Sequence, residues 1–202
     1  LVEWAESSDT WIIEDDYDGE FRYDRRPIGA LQGLAPDRVI YAGTASKSLA
    51  PTLRIGWLVV PEDFQAEMLR SIHARAGVSG IEQQALADFI ACGEFDRHIR
   101  EMRQRYRSRS VRLRRVLHDT APWLELAPAS AGLQLMARLQ PDGPTEAAVI
   151  AAAATASVGL MGLETDHGAR WTGPGLTIGF SRPAEHRFPT ALERLGTVLA
   201  GL

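Results

Sequence analysis

Short apolar runs separated by polar turns open this chain. Residues 11–14, Trp-Ile-Ile-Glu, follow the polar turn Ser7-Ser8-Asp9-Thr10 and predict a buried strand. Residues 39–42 and 55–60 predict two more buried strands, ended by Gly43 and Pro61. Residues 15–37, rich in Asp, Arg, Gly and Pro, are too irregular for a regular element. After Pro61 the pattern turns helical: 62–76, a break at Gly77-Val78-Ser79-Gly80, then 81–91 closed by Gly93. A long helix is predicted over 95–118, where Ile99, Met102, Tyr106, Val111 and Val116 only loosely mark an inner face. Strands follow at 123–127 and 133–139, a helix at 144–156, an apolar segment at 158–163, a strand at 176–180 and a closing helix at 190–199. The alternation predicts an α/β protein whose loops carry the chemistry. The boundary is placed inside the long helix, giving a first domain at 1–108 and a small α/β domain at 109–202.

Composition narrows the function without naming it. The chain has 202 residues, 24% charged and 45% hydrophobic, as an ordinary globular protein does. Its net charge of −4 argues against nucleic-acid binding by bulk electrostatics. The long helix carries many arginines, but they are spread around it, and Glu94, Asp96, Glu101 and Asp119 lie near its ends, so it reads as a connector. One cysteine, Cys92, rules out an internal disulfide and suits a reducing, cytoplasmic compartment. No membrane span is expected, and His73, His98, His118, His167 and His186 have no metal-ligand spacing. The opening residues look like the end of a helix entering a strand, so the chain is expected to be a fragment of a longer protein.

Charge also isolates one residue. Of 22 basic residues, 21 are arginine and one, Lys47, is lysine. It sits in Gly43-Thr44-Ala45-Ser46-Lys47-Ser48, between two predicted strands. A lysine can lose a proton and attack a carbonyl to form a Schiff base, and an arginine cannot. The bland alternative is a surface residue. Against it, Thr44 and Ser46 supply hydroxyls, Gly43 lets the backbone approach a ligand, and Arg54 follows at the start of the next strand. Hydroxyls with a guanidinium suit a phosphate. A primary amine beside a phosphate site points to pyridoxal 5'-phosphate as cofactor. Such a cofactor needs a carboxylate at its pyridine nitrogen. Asp15 and Tyr17 point to one side of an extended segment, so Asp15 can meet the ring nitrogen and Tyr17 the ring hydroxyl. The competing reading makes Glu14, Asp15, Asp16 and Asp18 a solvated acidic loop.

The stretch IIEDDYDGEFRYDRRPIGALQGL, continued by RVIYAGTASKSLAPTLRIGWLVVP, resembles the aminotransferase-like domain of the MocR subfamily of GntR-type transcription regulators. EQQALADFIACGEFDRHIREMRQRYRSR, AGLQLMARL and GLTIGF extend the resemblance over nearly the whole chain. It implies the C-terminal portion of a fold type I transferase: part of the large domain and the small domain. It implies that Lys47 forms the covalent link to cofactor, that Asp15 and Tyr17 hold the ring, and that Thr44, Ser46 and Arg54 help bind phosphate. A ligand carboxylate would meet Arg170 or Arg182. Ala45 and Gln134 depart from the family, which often has an aromatic residue and a histidine there. The implied partners are an amino-acid or amine effector, a second copy of the chain in a homodimer, and DNA through a winged helix-turn-helix domain absent from this chain. A working aminotransferase on an amino acid is the alternative, and a cofactor-free dimerisation fragment is a third reading.

Overall fold

The computed structural model describes residues 1–23, 29–73, 77–128, 132–163 and 173–202. They form two compact units, Leu1–Glu101 and Met102–Leu202. The first contains α1 (Val2–Ser7), β1 (Ile12–Asp16), β2 (Val39–Thr44), α2 (Ala45–Ser48), β3 (Gly56–Val59), α3 (Glu62–His73) and α4 (Gly80–Ala91). Helix α5 (Glu94–Thr120) begins in this unit and continues into the second. The sheet order is β1-β2-β3. Strands β1 and β2 are parallel, from Ile12 opposite Val39 to Asp16 opposite Gly43. Strands β2 and β3 are antiparallel, with Gly43 opposite Trp57.

The predicted strands are present, but the outer two are not buried. Ile13 is 72% exposed, Leu58 45% and Val59 43%. These side chains leave the sheet through its faces, and among the described residues the faces are only partly covered there, so apolar runs that read as buried are open. Val39 in the central strand and Phe21 after β1 are fully buried and anchor the unit.

The second unit contains β4 (Leu124–Leu126), β5 (Gln134–Leu139), α6 (Glu146–Thr155), β6 (Met161–Gly162), β7 (Gly175–Gly179) and α7 (Phe188–Ala200). Its antiparallel sheet runs β4-β5-β7-β6. Alternation along β5 buries Leu135, Ala137 and Leu139 on one face. Phe188, Leu192, Leu195 and Leu199 recur at helical spacing and bury one face of α7. Thr145 starts α6 by accepting the Ala148 amide on its hydroxyl. The next residue, Glu146, is itself buried and accepts backbone amides of Leu163 and Gly175. Among the described residues no helix is long and apolar enough to cross a membrane, and no group of acidic, His and Cys residues could hold a metal ion.

Candidate functional site

Strand β2 runs directly into the short helix that carries Lys47. Thr44 is extended, with φ −146°, and its hydroxyl accepts the Ser46 amide at 3.1 Å, which caps α2. The same hydroxyl donates to the Ile55 carbonyl at 3.1 Å, and the Ala45 amide donates to that carbonyl at 2.9 Å. Both bonds tie the start of α2 to the entry of β3. Gly43 is required here: a Cβ would lie 2.4 Å from the Trp57 indole. Helix α2 is closed at its end by the Leu49 amide, which donates to the Ala45 carbonyl at 2.9 Å. Ala45 and Ser48 face inward, and Lys47 is exposed. The sequence reads this segment as a loop; the cap and the tie to Ile55 make it helical.

Asp15 and Asp16 take opposite sides of β1, whose burial alternates residue by residue. Asp16 is engaged on the inner side. Its carboxylate accepts the Tyr41 hydroxyl at 3.0 Å and the Gly19 amide at 2.9 Å. Burial, with the Asp16 bond and charge behind it, pushes the Tyr41 phenol up to about 12. A Cβ at Gly19 would meet the Asp16 carboxylate at 2.2 Å, so a larger residue here would displace that carboxylate from its present bonds. Glu14, also on the inner side, accepts the Leu31 and Gln32 amides at 2.8 and 3.0 Å and pins the returning loop. Asp15 is exposed and accepts no hydrogen bond among the described residues.

Tyr17 shares the side of Asp15. The Lys47 Nζ lies 5.9 Å from the Tyr17 ring centroid, so the first unit brings these two expected residues together. The charge of Asp18, then burial, then Asp15 raise the Tyr17 phenol above its ordinary value. A phenol held protonated is a donor to an anionic acceptor. The Asp18 carboxyl is raised first by burial and then by Asp16, while Lys47 acts to lower it. Asp18 therefore senses the lysine charge, a neighbour that the sequence reading did not single out.

Of the expected phosphate ligands, Ser46 and Arg54 have side chains without a hydrogen bond or ion pair among the described residues. Thr44 is committed to its cap and to Ile55. Arg54 is exposed and adopts φ +53°, the left-handed region that a non-glycine residue occupies only at a cost. The donor set suits pyridoxal phosphate in part: an exposed amine, a ring-side phenol, an open carboxylate, one free hydroxyl and one free guanidinium. Arg182 is exposed beyond β7, and Arg170 lies outside the described residues. Sequence reasoning also missed His98, whose Nε2 lies 2.8 Å from the Ser48 carbonyl. Its only sequence signal was a polar residue beside the buried Ile99.

A model of the family described as aminotransferase class I and II matches residues 1–168. The HTH-type transcriptional regulator YhdI of Bacillus subtilis is 37% identical over 205 residues, spanning 100% of this chain and 44% of that protein. The probable rhizopine catabolism regulatory protein MocR of Rhizobium meliloti is 44% identical over 142 residues, 68% of this chain and 29% of its own. Among solved structures, the kynurenine aminotransferase of Pyrococcus horikoshii matches with TM-score 0.83 at 26% identity, over 100% of this chain and 50% of that one. The chain thus spans half or less of the length of each. The resemblance to MocR-type regulators and the fold type I α/β architecture read from the sequence both hold. With its lysine turn, its acidic strand end and a family model matched over most of its length, the chain belongs to the aminotransferase class I and II family.

Proposed function

We propose that this chain is the pyridoxal-phosphate-binding, aminotransferase-like part of a DNA-binding transcription regulator, where it senses the cofactor or an amino compound. The observation that carries this is Lys47: the only lysine of the chain, exposed on a capped turn, with its amine over the Tyr17 ring. The cofactor, when bound, supplies an aldehyde for a primary amine and a ring that draws electrons from an attached carbon. The residues of this chain divide the remaining work. Lys47 offers the amine. Asp15 holds a proton at the ring nitrogen, and the Tyr17 hydroxyl donates to the ring oxygen. Ser46 and Arg54 bind the phosphate, and Thr44 builds the turn that presents Ser46. Arg182 or Arg170 is assigned to the carboxylate of an amino-acid effector.

The regulator reading is supported by the HTH-type relatives. In it, DNA is met by a winged helix-turn-helix outside these residues, and the domain works as a cytoplasmic homodimer. Residues 1–108 belong to its large domain and 109–202 to its small domain. The likeness to a kynurenine aminotransferase favours a second reading, an enzyme that moves amino groups. Borohydride reduction with pyridoxal phosphate, followed by peptide mapping, tests the shared core of both. The label is expected on the Lys47 peptide. Bound cofactor with no label at Lys47 overturns the proposal. Turnover of amino acids with an oxo-acid acceptor, measured on the same protein, favours the enzyme.

A further inference from the structure

Helix α2 cannot hold itself. It has four residues, far below the length at which an isolated helix persists. Its N-terminal end is fixed by Thr44 and by the Ala45 amide, both bonded to the Ile55 carbonyl. Its C-terminal end is fixed differently. The Ser48 carbonyl lies 2.8 Å from His98 Nε2, on the first turns of α5. A carbonyl can only accept, so Nε2 carries the hydrogen. Among the described residues, no other side chain from outside residues 43–56 hydrogen-bonds to this turn. His98 is itself held, because its neighbour Ile99 is 5% exposed. Ser48 is 3% exposed, and its hydroxyl has no partner among the described residues. Among the described residues, the C-terminal end of the turn therefore has no second side-chain tether.

We propose that His98 is a positioning residue for Lys47. Its Nε2–H bond to the Ser48 carbonyl fixes the far end of α2 and so presents the Lys47 amine beside Tyr17. The inference rests on the reading of Lys47 as the residue that links to cofactor. Without His98, the Ser48 carbonyl loses its donor, and the Ser48–Leu49 peptide that closes the turn after Lys47 is held only by the Leu49 amide bond to the Ala45 carbonyl.

Two variants separate this bond from bulk packing. His98→Leu fills the space without a donor. His98→Gln returns an N–H to the place of Nε2. Both are compared with the unsubstituted protein by two measurements. The first is amide hydrogen exchange at Leu49, with β2 amides as the internal reference. The second is the rate at which pyridoxal phosphate and borohydride label the Lys47 peptide. His98→Leu is expected to speed Leu49 exchange relative to β2 and to slow labelling about five- to tenfold, the worth of one hydrogen bond. His98→Gln is expected to restore most of both. Unchanged labelling in His98→Leu overturns the proposal, as does faster exchange that affects β2 equally. If Lys47 is not labelled even in the unsubstituted protein, the functional reading fails. The Leu49 exchange then still decides whether His98 holds the turn.

Discussion

Asp15 and Asp16 are adjacent and chemically identical, and the strand sends them to different work. Period-two alternation made that division legible in the sequence, and it set Asp15 and Tyr17 on one side. What alternation could not show is that Asp16 is already spent on Tyr41 and Gly19, because that depends on the register of β1 against β2. Asp15→Ala is expected to leave the unfolding midpoint in urea unchanged and to weaken pyridoxal phosphate binding in an absorbance titration. Asp16→Ala is expected to cost about 1–2 kcal/mol of stability, because it strands a phenol and an amide, and to change binding far less. Equal losses of affinity would sink the assignment of Asp15. Arg54 allows a second comparison at this scale. Its positive φ strains any residue with a Cβ. Arg54→Gly is therefore expected to be about 1 kcal/mol more stable than Arg54→Ala, while both lose cofactor affinity alike. Equal stability of the two would remove the strain. Affinity unchanged from that of the arginine protein would remove the phosphate role.

At the scale of elements, α5 shows why a correct helix carried a blurred pattern. Its buried stripe is Ile99, Met102, Arg109, Leu113 and Leu117, with half-buried Tyr106 between. An arginine occupies one position of an otherwise apolar seam, so hydropathy alone loses the phase there and picks Val111, which is 54% exposed. The side chain is 3% exposed, and its guanidinium is spread over several partners. Nη1 donates to the Phe180 and Ser181 carbonyls at 3.1 and 3.0 Å, and Nη2 meets Glu185 at 2.7 Å. The guanidinium carbon stands 4.7 Å from the Phe188 ring centroid. This binds the end of β7 and the start of α7 to the helix. The planar fork is what spans these partners, so lysine is a poor replacement. Arg109→Ala is expected to cost about 2–4 kcal/mol in urea unfolding, and Arg109→Lys to recover less than half of it. Full recovery by lysine would mean that charge alone, and not the fork, holds the element. Helix α2 is the opposite case. Its four residues have no periodicity to read, and tertiary bonds to Ile55 and His98 make it a helix.

For the whole molecule, the question is how strongly this chain holds a phosphate-bearing cofactor. The side chains assigned to it stand on a surface open to water. Asp15, Lys47 and Arg54 are exposed, and Tyr17 is 46% exposed. Charges so placed are screened, and each contributes less than it would in a closed cleft. The phosphate finds two uncommitted donors among the described residues, Ser46 and Arg54, because the Thr44 hydrogen is directed to Ile55. Charge-assisted bonds are worth about 1.5–3 kcal/mol each, so two of them supply roughly 3–6 kcal/mol. A dissociation constant of about 1 mM corresponds to roughly 4 kcal/mol. The 202-residue chain is therefore expected to bind pyridoxal phosphate with a dissociation constant between roughly tens of micromolar and several millimolar. Labelling of Lys47 by borohydride should still occur at cofactor concentrations of that order, because attack by the amine needs no phosphate contact. Transamination should be slow or absent. An absorbance titration of the chain, beside inorganic phosphate as competitor, measures this directly. The competitor should act only weakly, since Ser46 and Arg54 alone do not enclose an anion. Tight, stoichiometric binding with rapid turnover of an amino acid would show that the exposed face closes around its ligand, and that the open donor set underestimates the site.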